Sequence, residues 1–492
     1  MNTIPEKRSS FSIAPGVRKI VANAASMLAS NVVNRAATFV IYTLVARYLG
    51  TFEFGQMSLA LTFFQTFQLL AIAGLQTLIT REVAKDKDKT NKYFVNGSMV
   101  VTFFSVLSIL ILVGITQALA YTPDTTFVIR LLALSLLPYA LTVICDGLFQ
   151  AWERMHHITY ANVLVNIAKV ALTILLLNQG SNLRDIVILI FLSHVANLLV
   201  KWWLMVRHIV RPRLEIDVRF SIEMVKATTT FLGIKGAQAI LSSLNIVLLS
   251  KLATEVEVGL YSAATQVLVP IALVFESIVT SIYPVMCKSF EPGFARMKSI
   301  VERLLELLLI IVIPTVVGMF FLADSALLLF YSDGDFARAS VALRIIVWRL
   351  ILRVFTQVFG LVLVASLREK TTLRILVVDL LATILFGPIL ISQFGLTGIA
   401  VTVVLVRIVD FIQHYVPVSR MLSQIAIGNL AWRPVVASVC MAACLYFVRE
   451  QHVVLMIISG AVVYGVVLFA LTLWSAGGVE QLKRRYVQFL SG

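Results

Sequence analysis

The sequence predicts an all-α integral membrane protein of about 14 transmembrane helices, arranged as two six-helix lobes plus two C-terminal helices. Three observations carry that prediction. First, 59% of the 492 residues are hydrophobic, only 14% are charged, and the mean hydropathy is +0.92. Apolar runs of about 20 residues follow one another, each long enough to cross ~30 Å of hydrocarbon as a helix. Second, those runs lack the two-residue alternation in ~10-residue pieces that a transmembrane barrel needs. Third, a motif of the first half returns in the second, as in membrane proteins built from two repeats.

Taken in order, residues 1–20 form a basic tail with Lys7, Arg8, Arg18 and Lys19. No small-residue cleavage site follows, so the tail is expected to be uncleaved and cytoplasmic. The N-lobe, 21–206, holds spans at 21–48, 56–80, 94–118, 127–150, 158–178 and 185–206. A polar connection, 207–228, leads to the C-lobe, 229–416, with spans at 229–252, 259–286, 304–323, 341–366, 374–391 and 396–416. Residues 417–474 add a loop and two spans, 434–448 and 453–474; a second basic cytoplasmic tail, 475–492, contains Lys483-Arg484-Arg485. Basic residues gather in alternate loops, among them Arg81 to Lys92, Arg207 to Lys226, Lys288 to Arg303 and Arg368 to Arg374. Under the positive-inside rule this bias puts both termini in the cytoplasm, and one span more or fewer would scramble it.

The same distribution accounts for the formal charge of +15 and argues against a nucleic-acid partner. The loops on the other side are short, the longest running from about 323 to 340, so there is no room for an external catalytic domain. No metal is expected. His156-His157 has no carboxylate or cysteine at ligand spacing, and Asp333-Gly334-Asp335 lacks the other ligands of a calcium loop and predicts a turn. Cys145, Cys287, Cys440 and Cys444 lie in or beside spans and are expected to be inert thiols.

The internal repeat has two anchors. Ala46 to Ala60 is ARYLGTFEFGQMSLA and Ser250 to Ala264 is SKLATEVEVGLYSAA. Arg47 and Lys251, Glu53 and Glu257, Gly55 and Gly259, and Ser58 and Ser262 fall in register. Further on, Arg130 and Arg344 open corresponding spans, followed at equal distance by Arg154 and Arg368.

Within the spans, a cation at bilayer depth costs about 2.5–3.5 kcal/mol on the insertion scale. Arg35 lies mid-span in the first helix, Lys169 in the fifth, Lys235 in the seventh, and Arg349 and Arg353 in the tenth. Facing lipid, the five would cost on the order of 10–15 kcal/mol together, so they are expected to face a wet interior that favours an anion. Asn31, Asn34, Arg35 and Thr38 make one helical stripe. Asn162, Asn166, Gln238, Ser242, Asn245 and Gln357 extend the polar lining, with Phe39 and Tyr42 as stacking surfaces. The bland alternatives are interhelical hydrogen bonds for the amides, snorkelling for Lys201, Arg130, Arg344 and Lys251, and mutual neutralisation of Arg407 and Asp410. Asp146, Glu276, Asp379 and Asp410 are candidates for coupling to a proton or sodium gradient, and no organic cofactor is expected.

A first span ending in Arg47-Tyr48-Leu49-Gly50, the acidic turn with Phe54-Gly55, and Ser58-Leu59-Ala60 resemble the opening of the Wzx-type oligosaccharide flippases. These are polysaccharide exporters of the multidrug/oligosaccharidyl-lipid/polysaccharide (MOP) superfamily. Gly147-Leu148-Phe149-Gln150-Ala151 with Glu153-Arg154-Met155 is similar to that family's segment after its fourth span. The resemblance implies a MATE-like two-lobed fold and alternating access. It also implies an undecaprenyl-diphosphate-linked oligosaccharide as cargo, in a bacterial inner membrane, for O-antigen, capsule or exopolysaccharide assembly. Membrane lipid, polysaccharide polymerase and chain-length proteins are the expected partners. The competing readings are a drug/cation antiporter of the same superfamily, a lipid II flippase, and a membrane polysaccharide polymerase. An excess of acids over cations would favour the first, and large external loops the last.

Overall fold

The computed structural model describes residues 15–289, 294–331, 334–366, 368–449 and 451–476, and no strand occurs among them. The two expected tails therefore fall largely outside the described residues, as do Asp333 and the side chains of Lys235 and Cys287.

Helix α1, Pro15–Ile72, is interrupted at Gly50, where φ is 84° and ψ −174°. A side chain would be strained at that φ, so the glycine closing Arg47-Tyr48-Leu49-Gly50 lets one span turn into the next. Helix α2, Leu75–Lys85, follows a break at Ala73 and Gly74, both with positive φ. Helices α3 (Thr90–Ala118), α4 (Pro123–Leu134), α5 (Leu136–Ala151), α6 (His156–Asn178) and α7 (Leu183–His208) come next. Thr122 caps α4 with Pro123 in its first turn, and an Asn182–Asp185 capping box opens α7, so both starts are encoded locally.

Then follow α8 (Val218–Leu252), α9 (Glu255–Ser289), α10 (Phe294–Phe321), α11 (Ala323–Tyr331), α12 (Ser340–Ile346) and α13 (Arg349–Ala365). The last three helices are α14 (Glu369–Met421, interrupted at Gly395), α15 (Ile427–Phe447) and α16 (Val453–Ala476). Ten helices among the described residues are long and apolar enough to cross a membrane, and α12 with α13 forms a further pair bent by 45°. Two of the ten, of 64 and 51 residues, carry the glycine interruptions. The protein is a multi-pass, all-helical membrane protein.

Two stretches expected to be irregular are partly helical. The connection 207–228 gives way to α8 at Val218, because Asp217 accepts from the Phe220 amide at 2.9 Å while Met224 and Phe220 pack into the core. The loop 323–340 contains α11 and a 3₁₀ turn, Gly334–Ala339. Buried Tyr331 and Phe336 stack there at 4.7 Å, with Phe54 against both.

The chain divides into two compact units. The N-terminal unit holds the chain up to Leu44 and Phe63–Gly236; the C-terminal unit holds Val45–Thr62 and the chain from Ala237. The N-terminal core is built on α2, α3 and α5, where Leu75, Ile79, Val101, Ile144, Leu148 and Phe149 are fully buried. In the C-terminal unit, α15 and α16 close on Met441, Leu445, Met456 and Tyr464, whose hydroxyl donates to the Ile310 carbonyl at 2.6 Å.

The repeat is visible in the hydrogen bonding of each unit. After α5, the amide of Arg154 donates to the Phe149 carbonyl (2.8 Å), Trp152 to Leu148 (3.0 Å) and His157 to Arg154 (3.2 Å). After α13, at the offset separating Arg130 from Arg344, Arg368 donates to Leu363 (3.0 Å), Ser366 to Val362 (3.0 Å) and Thr371 to Arg368 (3.1 Å).

The other anchor is also structural. Arg47 donates to the carbonyls of Phe330 and Leu329, the exposed acceptors ending α11, at 2.7 and 2.6 Å. Within the C-terminal unit the helix after Gly50 crosses the start of α9 at Gly55 and Gly259. A methyl group on Gly55 would overlap the Glu255 carbonyl, and one on Gly259 would overlap that of Thr51. Glu257 accepts from the Leu396 amide at 3.0 Å, capping the segment of α14 that begins after Gly395.

Candidate functional site

In the N-terminal unit, α1, α2, α5, α6 and α7 enclose a polar cavity of about 380 Å³. Helical spacing puts Asn31, Asn34 and Thr38 of α1 along one wall, facing Asn162, Asn166 and Lys169 of α6. The amides form a chain: Asn166 donates to Asn34 Oδ1 at 2.6 Å, Asn162 to Ser30 Oγ at 2.7 Å, and Asn197 to Asn162 Oδ1 at 3.0 Å. Thr38 turns back to the Asn34 carbonyl at 2.8 Å.

Asp146 and Lys201 form a buried ion pair in this cavity, with Nζ 2.7 and 2.9 Å from the two carboxylate oxygens. Lys201 is 1% exposed, so it does not snorkel to the membrane surface. Its position on α7 brings it to α5 instead of to solvent. Lys169 also lines the cavity, and no ion-pair or hydrogen-bond partner for its ammonium occurs among the described residues. The Gly147 motif has a packing role beside the site. A methyl there would lie 3.3 Å from the Gln76 carbonyl, so the glycine lets α2 and α5 approach and brings Gln76 and Gln150 to the cavity.

Arg35 does not join Asn31, Asn34 and Thr38. Its side chain is exposed and outside the cavity lining, one position round the helix from Asn34. Phe39 and Tyr42 are half-buried and are not part of the lining either. Lys235 lies within α8, and its side chain falls outside the described residues.

The C-terminal unit carries the other charged cluster. Arg349 stands against the Tyr261 hydroxyl, with Arg353 and Arg407 nearby. Arg353 meets Glu276 at 3.8 Å, a loose pair with both side chains about two-fifths exposed. Arg407 donates to Asp410 as expected, and Asp410 also meets His414 Nδ1 at 2.9 Å. Asp379 accepts from Gln413 at 3.1 Å. Asp379 and Asp410 are buried, at 6% and 3% exposure. Asn245 Oδ1 and Gln357 Oε1 are buried acceptors without a partner among the described residues, while Gln238 and Ser242 are exposed. Arg344 pairs with Asp324 beneath the ring of Phe320, so its charge is held by protein.

The residues missed from sequence are His194, Asn197 and Lys201 of α7. Their spacing reappears one residue short of the repeat offset as Arg407, Asp410 and His414 of α14, and Asn166 is matched likewise by Asp379. Projecting Arg407 and Asp410 back through the repeat would have found them. Among the described residues no group of three or more His, Cys, Asp or Glu can hold a metal, and Cys145, Cys440 and Cys444 are free thiols.

With this geometry in view, a family model supplies the identity: that of the polysaccharide biosynthesis proteins matches residues 20–290. The chain belongs to the polysaccharide biosynthesis protein family. No curated protein sequence matches it. Among solved structures, this family member is similar to the lipid II flippase MurJ in an inward closed conformation. The TM-score is 0.73 at 15% identity, covering 91% of this chain and 98% of the other. An inward-facing multidrug resistance MATE family transporter matches with TM-score 0.64 and 16% identity, over 79% and 96%. A MOP superfamily transporter from Pyrococcus furiosus gives 0.55 and 15%, over 82% and 95%. These likenesses show that the polysaccharide biosynthesis protein shares the fold of the MurJ and MATE structures.

Proposed function

We propose that the protein is a flippase carrying an undecaprenyl-diphosphate-linked oligosaccharide from the inner to the outer leaflet of a bacterial inner membrane by alternating access. Both termini are cytoplasmic in this reading. The observation that carries it is the cation excess at bilayer depth. Lys169 has no acid partner among the described residues, Arg349 stands on a tyrosine, and Arg353 is held only loosely by Glu276. Such charges persist where an anionic ligand visits them, and guanidinium forks suit phosphate oxygens. Polar side chains give the sugars hydrogen bonds while the polyprenyl tail stays in lipid. No bond is made or broken.

The acids available for coupling to a proton or sodium gradient are Asp146, Glu276, Asp379 and Asp410. Cation-rich spans weigh against a drug/cation antiporter, whose site needs unpaired acids. A lipid II flippase is the second reading, favoured by the likeness to MurJ. Polysaccharide polymerase and chain-length proteins would act on the cargo once it is outside.

The test is a deletion strain, in which undecaprenyl-linked repeat units should accumulate on the inner leaflet. Their arrival outside at the normal rate would reject the reading, and rescue of a lipid II flippase deletion would favour the second. Arg349→Ala and Arg353→Ala together are expected to abolish export with expression unchanged. Normal export by the double variant would remove both from the substrate path.

A further inference from the structure

We propose that the polar cavity of the N-terminal unit is a saccharide subsite that takes the single carboxylate of an acidic sugar, of the hexuronic-acid type. The inference rests on the flippase reading and narrows its cargo. It begins with the charges. Lys201 and Asp146 cancel one another inside the cavity wall, which leaves the Lys169 ammonium as the uncompensated charge of the lining. A diphosphate would bring more negative charge than one ammonium balances, and the cavity holds no arginine fork to receive its oxygens. One carboxylate matches one ammonium.

The rest of the lining suits a sugar ring. Asn31 and Gln76 have no hydrogen-bond partner for their amides among the described residues, and Asn197 Oδ1 is a buried acceptor without a donor. Carboxamides both donate and accept, as a ring of hydroxyls does, and an orphaned buried acceptor is costly until a ligand supplies the proton. Tyr139 and His194 meet edge-to-face at 5.7 Å on the same wall and give the ring an apolar side. About 380 Å³ lies near the lower end of the ~300–1,000 Å³ range of ligand pockets, room for one or two sugar rings rather than a chain.

The experiment uses the full-length protein in detergent, with D-glucuronate, D-glucose and acetate as probes read by saturation-transfer NMR. Glucuronate is expected to bind at least tenfold more tightly than glucose or acetate. Lys169→Met should bring glucuronate down to the level of glucose, and Lys169→Arg should retain part of the preference. Asn31→Asp, at an exposed position, should repel the carboxylate and lose it too, which keeps the test alive where Lys169→Met does not fold. Glucuronate binding no better than glucose, acetate matching glucuronate, or an undiminished preference in Lys169→Met or Asn31→Asp would each overturn the subsite. Flipping of a lipid-linked neutral oligosaccharide in proteoliposomes separates the two claims. If it proceeds while glucuronate fails to bind, the subsite falls and the flippase stands; if no lipid-linked saccharide crosses, the flippase reading itself falls.

Discussion

The two units solve one problem with different chemistry. Each presents three polar side chains at matching spacing on one helix: His194, Asn197 and Lys201 on α7, and Arg407, Asp410 and His414 on α14. In the N-terminal unit the last of the three, Lys201, reaches Asp146 on α5. At the position corresponding to Asp146 the C-terminal unit has Gly360, and a methyl group there would lie 3.6 Å from His414 Nε2. With no carboxylate across from it, His414 turns to Asp410 on its own helix, which also holds Arg407. At these matched positions one unit thus ties two helices together with an ion pair, while the other pairs its charges along a single helix. The lesson is that a repeat conserves the places where polar groups stand more faithfully than the pairs they form.

The largest expected effect tests that difference directly. Asp146→Ala leaves Lys201 buried without its acid and is expected to cost about 3–5 kcal/mol of stability. Thermal unfolding in detergent measures it, and adding Lys201→Met should recover most of the loss. Asp410→Ala should cost less, about 1–3 kcal/mol, because the Arg407 side chain is 38% exposed and reaches water when released. Equal losses in the two units would break the comparison. Smaller again is Arg353→Ala. Its pair with Glu276 is long and solvated, so the stability change should stay within about 0–1 kcal/mol while export falls, a split read by comparing melting temperature with flipping rate.

The smallest effect lies outside the spans. Lys92, 2.8 Å away, and the Phe220 amide hold the Asp217 carboxyl below the usual carboxylate range. Its folded pKa is lower than its unfolded one, so its contribution is present above the unfolded pKa and fades as pH falls through the folded one. Asp217→Asn should lower the melting temperature slightly at neutral pH and converge with the wild type in strong acid.

What the sequence disclosed follows from what periodicity and repetition encode. Hydropathy showed the helical membrane class, because ~20-residue apolar runs admit few other structures. The paired anchors at Arg130 and Arg344 reappear as equivalent hydrogen bonds, since the backbone geometry after each helix is written in local residues. Asn31, Asn34 and Thr38 were placed together correctly by helical spacing, and the same spacing misjudged Arg35, whose long side chain takes the exposed side. Lys201 was misread because nearness to a helix end says nothing of the helix packed beside it. Partners across helices, such as Asp146, belong to tertiary structure, and one chain read alone carries no signal for them. Gly50 was legible as the end of the first span and the helix does break there, while the turn expected at Phe54-Gly55 lies inside the helix that follows.

The crossing of Gly55 and Gly259 has a mechanical corollary. Each contributes bare backbone to a reciprocal contact, so there are no interlocking knobs at the point of nearest approach and little beyond dispersion and weak Cα–H···O attraction to hold it. A joint made that way is tight yet shallow: it can slip or part without pulling any side chain from a socket. Even the smallest branch added at either glycine would act as a wedge, and because the contact is mutual, a wedge on one helix of the crossing would splay the other by the same amount.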